Sequence, residues 1–114
     1  MKINIFGYNI FAKGGTSRSN INLVKSLLEI GHEVHYFNYK NYNKSDITKL
    51  IIYEGLSTKH LHIHQFNSGK ELAHGDLLII TRETFFHYAY LVKKLNSKIK
   101  IVGEIPVSYT HLWW

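Results

Sequence analysis

The sequence predicts an α/β fold: a three-layer Rossmann-like domain on a mostly parallel sheet of about five strands. Three observations lead there. Short apolar runs of strand length alternate with amphipathic helical stretches. Residues 2–30 read as strand, loop and helix, and a second strand follows at once. Residues 76–82, Asp-Leu-Leu-Ile-Ile-Thr-Arg, are nearly continuously apolar, as in a parallel strand buried on both faces. A chain of 114 residues suits one such domain, and 45% hydrophobic residues with a single proline exclude a disordered chain.

The first strand spans residues 2–6, where Ile3, Ile5 and Phe6 suit a central position. A long loop follows, carrying Gly14-Gly15-Thr16-Ser17-Arg18. Loops of that length on α/β sheets are usually functional. The first helix is expected from about Ser19 to Ile30, with Ile21, Val24 and Leu28 on one stripe and Leu23, Leu27 and Ile30 widening it. Ser17 or Ser19 serves as N-cap, and Gly31 as the left-handed C-cap. Residues 33–38 form the second strand, which makes a right-handed βαβ unit.

Residues 45–53 predict a short helix capped by Ser45 and closed by Gly55. Residues 60–66 alternate strictly and predict a third strand; residues 70–74 suit one helical turn. After the apolar strand at 76–82, a helix is expected over 84–95 with Phe85, Tyr88, Ala89, Leu91, Val92 and Leu95 inward. A fifth strand, 100–105, ends at Pro106. Residues 1–106 are thus the domain. Residues 107–114 read as a non-native or truncated tail, because a strand that should feed another helix instead leads to Leu112-Trp113-Trp114.

Lys plus Arg is 14 against 8 for Asp plus Glu, a net charge of +6 that favours polyanionic partners or an anionic membrane surface. With no cysteine, disulfide frameworks and thiolate metal sites are excluded. Met1 leads directly into a strand, and no apolar run approaches the roughly 20 residues of a membrane span. The expected location is cytoplasmic, with membrane contact only peripheral, at the inner face.

Ligands of open α/β sheets bind beyond the carboxyl ends of the strands. Three segments should converge there: residues 7–18, residues 82–84 and the stretch from Glu104. Gly-Gly-Thr-Ser-Arg lacks both the Lys-Ser/Thr ending of a P-loop and the three-glycine spacing of a dinucleotide site, so NTPase and nicotinamide dehydrogenase readings lose support. It still offers glycines and helix-start N–H groups to an anion. The plainer reading is a tight turn with a solvated Arg18.

A Met-Lys-Ile strand, a long loop ending Gly14 to Arg18, and a helix closing Leu-Leu-Glu-Ile-Gly31-His32-Glu33-Val34 resemble the N-terminal domain of retaining GT-B glycosyltransferases of the family 4-like type. The resemblance spans residues 1–105. Arg82-Glu83 and Val102-Gly103-Glu104-Ile105 are similar to the subset that glycosylates wall teichoic acid, a poly(glycerol- or ribitol-phosphate), or related polymers. It implies transfer of a sugar from a nucleotide-sugar, commonly UDP-linked, to a cell-envelope polymer or glycan. The N-terminal half would mainly hold the acceptor, and a second Rossmann-like half, missing from this chain, most of the donor. Neither a separate cofactor nor nucleic acid is implied.

By the same resemblance Gly14, Gly15 and Thr16 would lie against the donor diphosphate or transferred sugar. Arg18 and Arg82 would contact phosphate, and Glu83 and Glu104 would orient hydroxyls or arginines at the cleft. Many relatives carry a histidine just after the fifth strand; here Pro106 follows Glu104-Ile105, and no catalytic residue is assigned. Without its second half the chain should have little or no transferase activity. The competing reading is a stand-alone basic module that binds nucleic acid or anionic membrane.

His60, His62 and His64 recur at period two on one strand face, but no Asp or Cys nearby completes a site, so no metal is expected. Tyr36, Tyr39, Lys40, Tyr42 and Lys44 mix aromatic and basic character on what reads as a solvated loop.

Overall fold

In a computed structural model the chain is described over residues 1–105 and 110–113. Five parallel strands, β1 (Lys2–Gly7), β2 (Glu33–Asn38), β3 (Leu61–Gln65), β4 (Leu77–Ile80) and β5 (Lys100–Ile105), lie in the order β3-β2-β1-β4-β5. A sixth, β6 (Thr110–Trp113), pairs antiparallel with β5. The predicted α/β, Rossmann-like architecture is therefore present. Thr110–Trp113, within the stretch expected to be a non-native or truncated tail, make the pairing with β5; residues 106–109 and 114 lie outside the described set.

The alternation of each strand divides the core into two layers. Ile3, Ile5, Val34, Tyr36, Leu61 and Ile79 pack on one face with Ile21 and Val24 of α1 (Gly15–Ile30) and Leu50 of α2 (Lys44–Glu54). Phe6, Phe37, Leu78, Ile80 and Ile101 pack on the other. There Leu72 of a 3₁₀ turn (Gly69–Ala73) and Ala89 and Val92 of α3 (Tyr88–Leu95) cover them.

Element boundaries differ from expectation in ways with local causes. Helix α1 begins four residues before Ser19, with Gly14 as its N-cap, so neither Ser17 nor Ser19 caps it. The Ser17 hydroxyl instead donates to the Asn9 carbonyl oxygen at 2.8 Å, which ties the loop to the helix. Ile30 is 71% exposed, at the end of the stripe, where Gly31 takes the left-handed conformation (φ 104°).

Helix α2 is capped by Asn43 in a capping box with Asp46, not by Ser45; Gly55 closes it. The helix expected over 84–95 is split: a 3₁₀ turn (Glu83–Phe85) precedes α3, and Leu95 is 51% exposed. Phe85 stacks on Phe6 at 4.4 Å between centroids, and this contact fixes the turn against β1.

At the carboxyl end of β1, Gly7 meets the buried pair Tyr36 and Asn20, whose side chains are hydrogen-bonded at 2.9 Å. A Cβ on Gly7 would stand 2.0 Å from the Tyr36 hydroxyl. A Cβ on Gly15 would meet nothing within 4 Å. Gly7→Ala should therefore destabilise the fold by about 1–3 kcal/mol, the range for overpacking a core, while Gly15→Ala stays near neutral. Urea unfolding of the two variants checks the contrast.

Candidate anion site at the strand-order switch point

The strand order reverses between β1 and β4, because β2 and β3 run to one side and β5 to the other. Open α/β sheets have their crevice at that point, beyond the carboxyl ends. Two segments flank it here: the loop after β1, which carries the glycines, and residues 81–84 after β4. The Thr81 N–H donates to the Phe6 carbonyl oxygen at 3.0 Å, which holds the second segment beside the first.

Polar side chains fix the path of the β1–α1 loop. Asn38, fully buried at the end of β2, accepts the Ile10 N–H on its amide oxygen at 2.7 Å and donates to the Lys40 carbonyl oxygen at 2.7 Å. Asn9 Oδ1 accepts the Phe11 N–H at 3.1 Å. Tyr39 and Lys40 N–H groups donate to the carbonyl oxygens of Gly7 and Tyr8. Gly14 then turns the chain with φ 135° and ψ 175°, a conformation that side-chain-bearing residues avoid, and α1 begins. No side chain caps α1 and no acidic residue lies in its first turn, so its leading N–H groups face outward with the positive end of the helix dipole.

Two cavities adjoin along this loop and share Ala12, Lys13 and Gly14 as their common wall. The smaller, about 190 Å³, is lined by Gly14, Gly15, Thr16, Ser17, Tyr8 and Arg82, among others. The Arg82 guanidinium lies 4.2 Å from the Tyr8 ring centroid, and its Nε–H donates to Thr84 Oγ1 at 3.2 Å. Stacking thus orients the guanidinium without consuming its terminal N–H groups in an ion pair. The larger cavity, about 780 Å³, opens between the loop and α2; Ile10, Phe11, Leu50, Ile52 and Tyr53 supply its apolar walls, with Lys13 and Lys49 also lining it.

The sequence-selected residues therefore separate. Gly14, Gly15, Thr16 and Arg82 converge on the smaller cavity, whereas Arg18 lies against the larger one. Both terminal nitrogens of Arg18 donate to the Glu54 carboxylate, at 2.6 and 3.1 Å, and Lys25 joins at 3.0 Å. Glu83 is exposed and Glu104 half-buried; neither lines either cavity. Sequence reasoning missed Tyr8, which only the fold brings under Arg82, and Glu54, which lies 36 residues from Arg18.

It also set the histidines apart from any partner. His60 falls outside β3, but parallel pairing puts His62 beside His35 on β2, and His64 donates toward His35 as well. The His35 imidazole lies 2.6 Å from Glu33, whose carboxylate can only accept, so His35 Nε2 carries the proton there. Its Nδ1, 2.9 Å from His64 Nε2, is then the acceptor. Burial holds both His35 and His64 below the usual histidine range, and the bond from His35 holds Glu33 below the usual carboxylate range.

No family model, curated protein or solved structure matches the chain. No helix among the described residues is long and apolar enough to cross a membrane.

The hydrogen bond from Arg18, then that from Lys25, lowers the Glu54 carboxyl from the ordinary 4.5 to about 2. A carboxyl depressed in the folded state stabilises the fold above its unfolded value, and that stability is lost as pH falls toward the folded value. Wild type should thus lose stability between about pH 4.5 and 2 more steeply than Glu54→Gln, which lacks this contribution at every pH. Thermal unfolding across that window is the measurement.

Proposed function

We propose that the chain is the acceptor-side half of a GT-B glycosyltransferase, and that the small cavity at the switch point receives the phosphate of a nucleotide-sugar donor. One observation carries the reading: at the carboxyl edge of a parallel sheet, an uncapped helix start with two open glycines lines one cavity together with an arginine from the segment that follows the strand across the switch point. A helix start and a guanidinium lining one small volume suit a group whose negative charge grows as the nucleotide leaves.

The two volumes divide the ligand. A cavity of about 190 Å³ is below the ~300–1,000 Å³ that holds a drug-sized molecule and suits a phosphate or diphosphate. The neighbouring 780 Å³ cavity falls within that range. Its aromatic and aliphatic walls suit a sugar ring, and Lys13 and Lys49 suit a phosphate-bearing acceptor polymer. In this reading Gly14, Gly15, Thr16 and Arg82 hold donor phosphate, and Arg18 fixes the wall between α1 and α2 through Glu54 rather than gripping phosphate itself. Glu83 and Glu104 would take part only opposite a second half, which the reading requires for transfer.

Titration with inorganic pyrophosphate and with UDP-sugars, followed through backbone amide resonances, tests this. Shifts should concentrate at Gly14, Gly15 and Thr16. Arg82→Gln should weaken binding about tenfold or more, since hydrogen bonds to charged groups are worth about 1.5–3 kcal/mol. Gly15→Ala should weaken it without loss of stability, and Arg18→Gln should change it little. Shifts spread over surface lysines, insensitive to Arg82 and Gly15 and abolished by modest salt, would favour the basic polyanion-binding module instead.

A further inference from the structure

At the amino end of the same sheet, on the face opposite α1 and α2, a cluster of imidazoles stands apart from the glycine loop. β3 is the edge strand, and its register with β2 sets His35 against His62 and Phe37 against His64. The rings of His35 and His62 stack at 4.5 Å between centroids, whereas His35 and His64 lie coplanar and edge to edge, their ring nitrogens 2.9 Å apart. Glu33, two residues before His35 and therefore on the same side of β2, reaches His35 Nε2 at 2.6 Å. His62 is exposed, the Glu33 side chain is 45% exposed, and the His35 side chain is 14% exposed, so the cluster opens to solvent from a fixed floor.

We propose that Glu33, His35 and His62 form a binding site for a divalent transition-metal ion of the zinc class. One ligand atom from each of the three lies within 4.8 Å of the others. Ligands about 2.1 Å from a tetrahedral ion are roughly 3.4 Å apart, so the exposed His62 ring must turn out of its stack on His35 to aim a nitrogen at the same ion. Two imidazoles and a carboxylate are a donor set that zinc takes readily, and three protein ligands leave a fourth position for water or another ligand.

His64 completes the arrangement as a positioning residue. When the ion takes His35 Nε2, the His35 proton moves to Nδ1, 2.9 Å from His64 Nε2, and His64 accepts it as a hydrogen bond by changing its own tautomer. No net proton is lost in that exchange. The site stands independently of the glycosyl-transfer reading, since it shares no residue with either cavity at the carboxyl edge.

The test is calorimetric titration of the untagged chain with zinc, and with cobalt(II) followed by visible absorption. One equivalent should bind, with the intense visible bands of a four- or five-coordinate cobalt ion and shifts of the His35 and His62 ring nitrogens. His62→Asn, at an exposed position that leaves the core intact, and Glu33→Gln should each weaken binding at least tenfold. His64→Gln should weaken it by roughly ten- to a hundredfold while cobalt keeps its coordination number, as loss of an outer-shell partner does. His60→Gln and His87→Gln should change nothing. Absence of saturable binding, or binding that His62→Asn leaves intact, overturns the proposal.

Discussion

A loop that leaves a buried parallel strand and re-enters as a helix must satisfy its amides without regular secondary structure, and here one side chain from the neighbouring strand supplies much of what it needs. Asn38 is fully buried at the end of β2, so its amide is worth more to the loop than the same group would be in water. Its oxygen takes the Ile10 N–H and its nitrogen holds the Lys40 carbonyl, which locks the loops after β1 and β2 to each other. With residues 8–11 held in this way, Gly14 turns at φ 135° and α1 starts beside the crevice. The cavity's geometry is a consequence of Asn38 before it is a consequence of the glycines.

Electrostatics then sorts two arginines that the sequence alone treats alike. Arg18 meets a carboxylate whose side chain is 7% exposed, together with Lys25, and this cluster braces α1 against α2. With the Arg18 and Lys25 side chains 48% and 38% exposed, each pair adds little stability by itself, but two cations on one enclosed carboxylate restrict where each can go. Arg82 has no acidic partner among the described residues and is oriented by the Tyr8 ring and Thr84 instead. Of the two, Arg82 keeps its charge available to a ligand. Its place follows from β4 lying next to β1, a long-range pairing across some 70 residues of chain.

That division marks what periodicity in the chain conveys. The strands at residues 2–6 and 33–38, the apolar strand near 77–80 and the βαβ connection were legible because alternation and helical spacing report burial directly. Cap positions were less so: Ser17 has the chemistry of an N-cap, yet its hydroxyl serves the Asn9 carbonyl, a contact set by loop shape. The pairings Arg18 with Glu54, Arg82 with Tyr8 and His35 with His62 depend on strand order and register. Spacing along one strand could place His62 and His64 on one face, but their partner His35 comes from another strand 27 residues away.

The polarity of a parallel sheet explains why these two groups of side chains are chemically different. At the carboxyl edge, strands give way to loops that precede helix N-termini, and uncapped N–H groups there favour anions. Near the amino edge, Glu33, His35 and His62 stand on the strands themselves, so their separations are fixed by pleat and register rather than by loop conformation. In the proposed metal site, the backbone positions of the cation's ligands are set before binding and only the exposed side chains are ordered by it, whereas the small cavity at the other edge can enclose only the charged part of a ligand. On the proposed reading, the remainder of a nucleotide-sugar must gain its contacts from a facing surface, and the apolar wall formed by Ile52 and Tyr53, 75% and 86% exposed, stands beside the opening where an acceptor would enter.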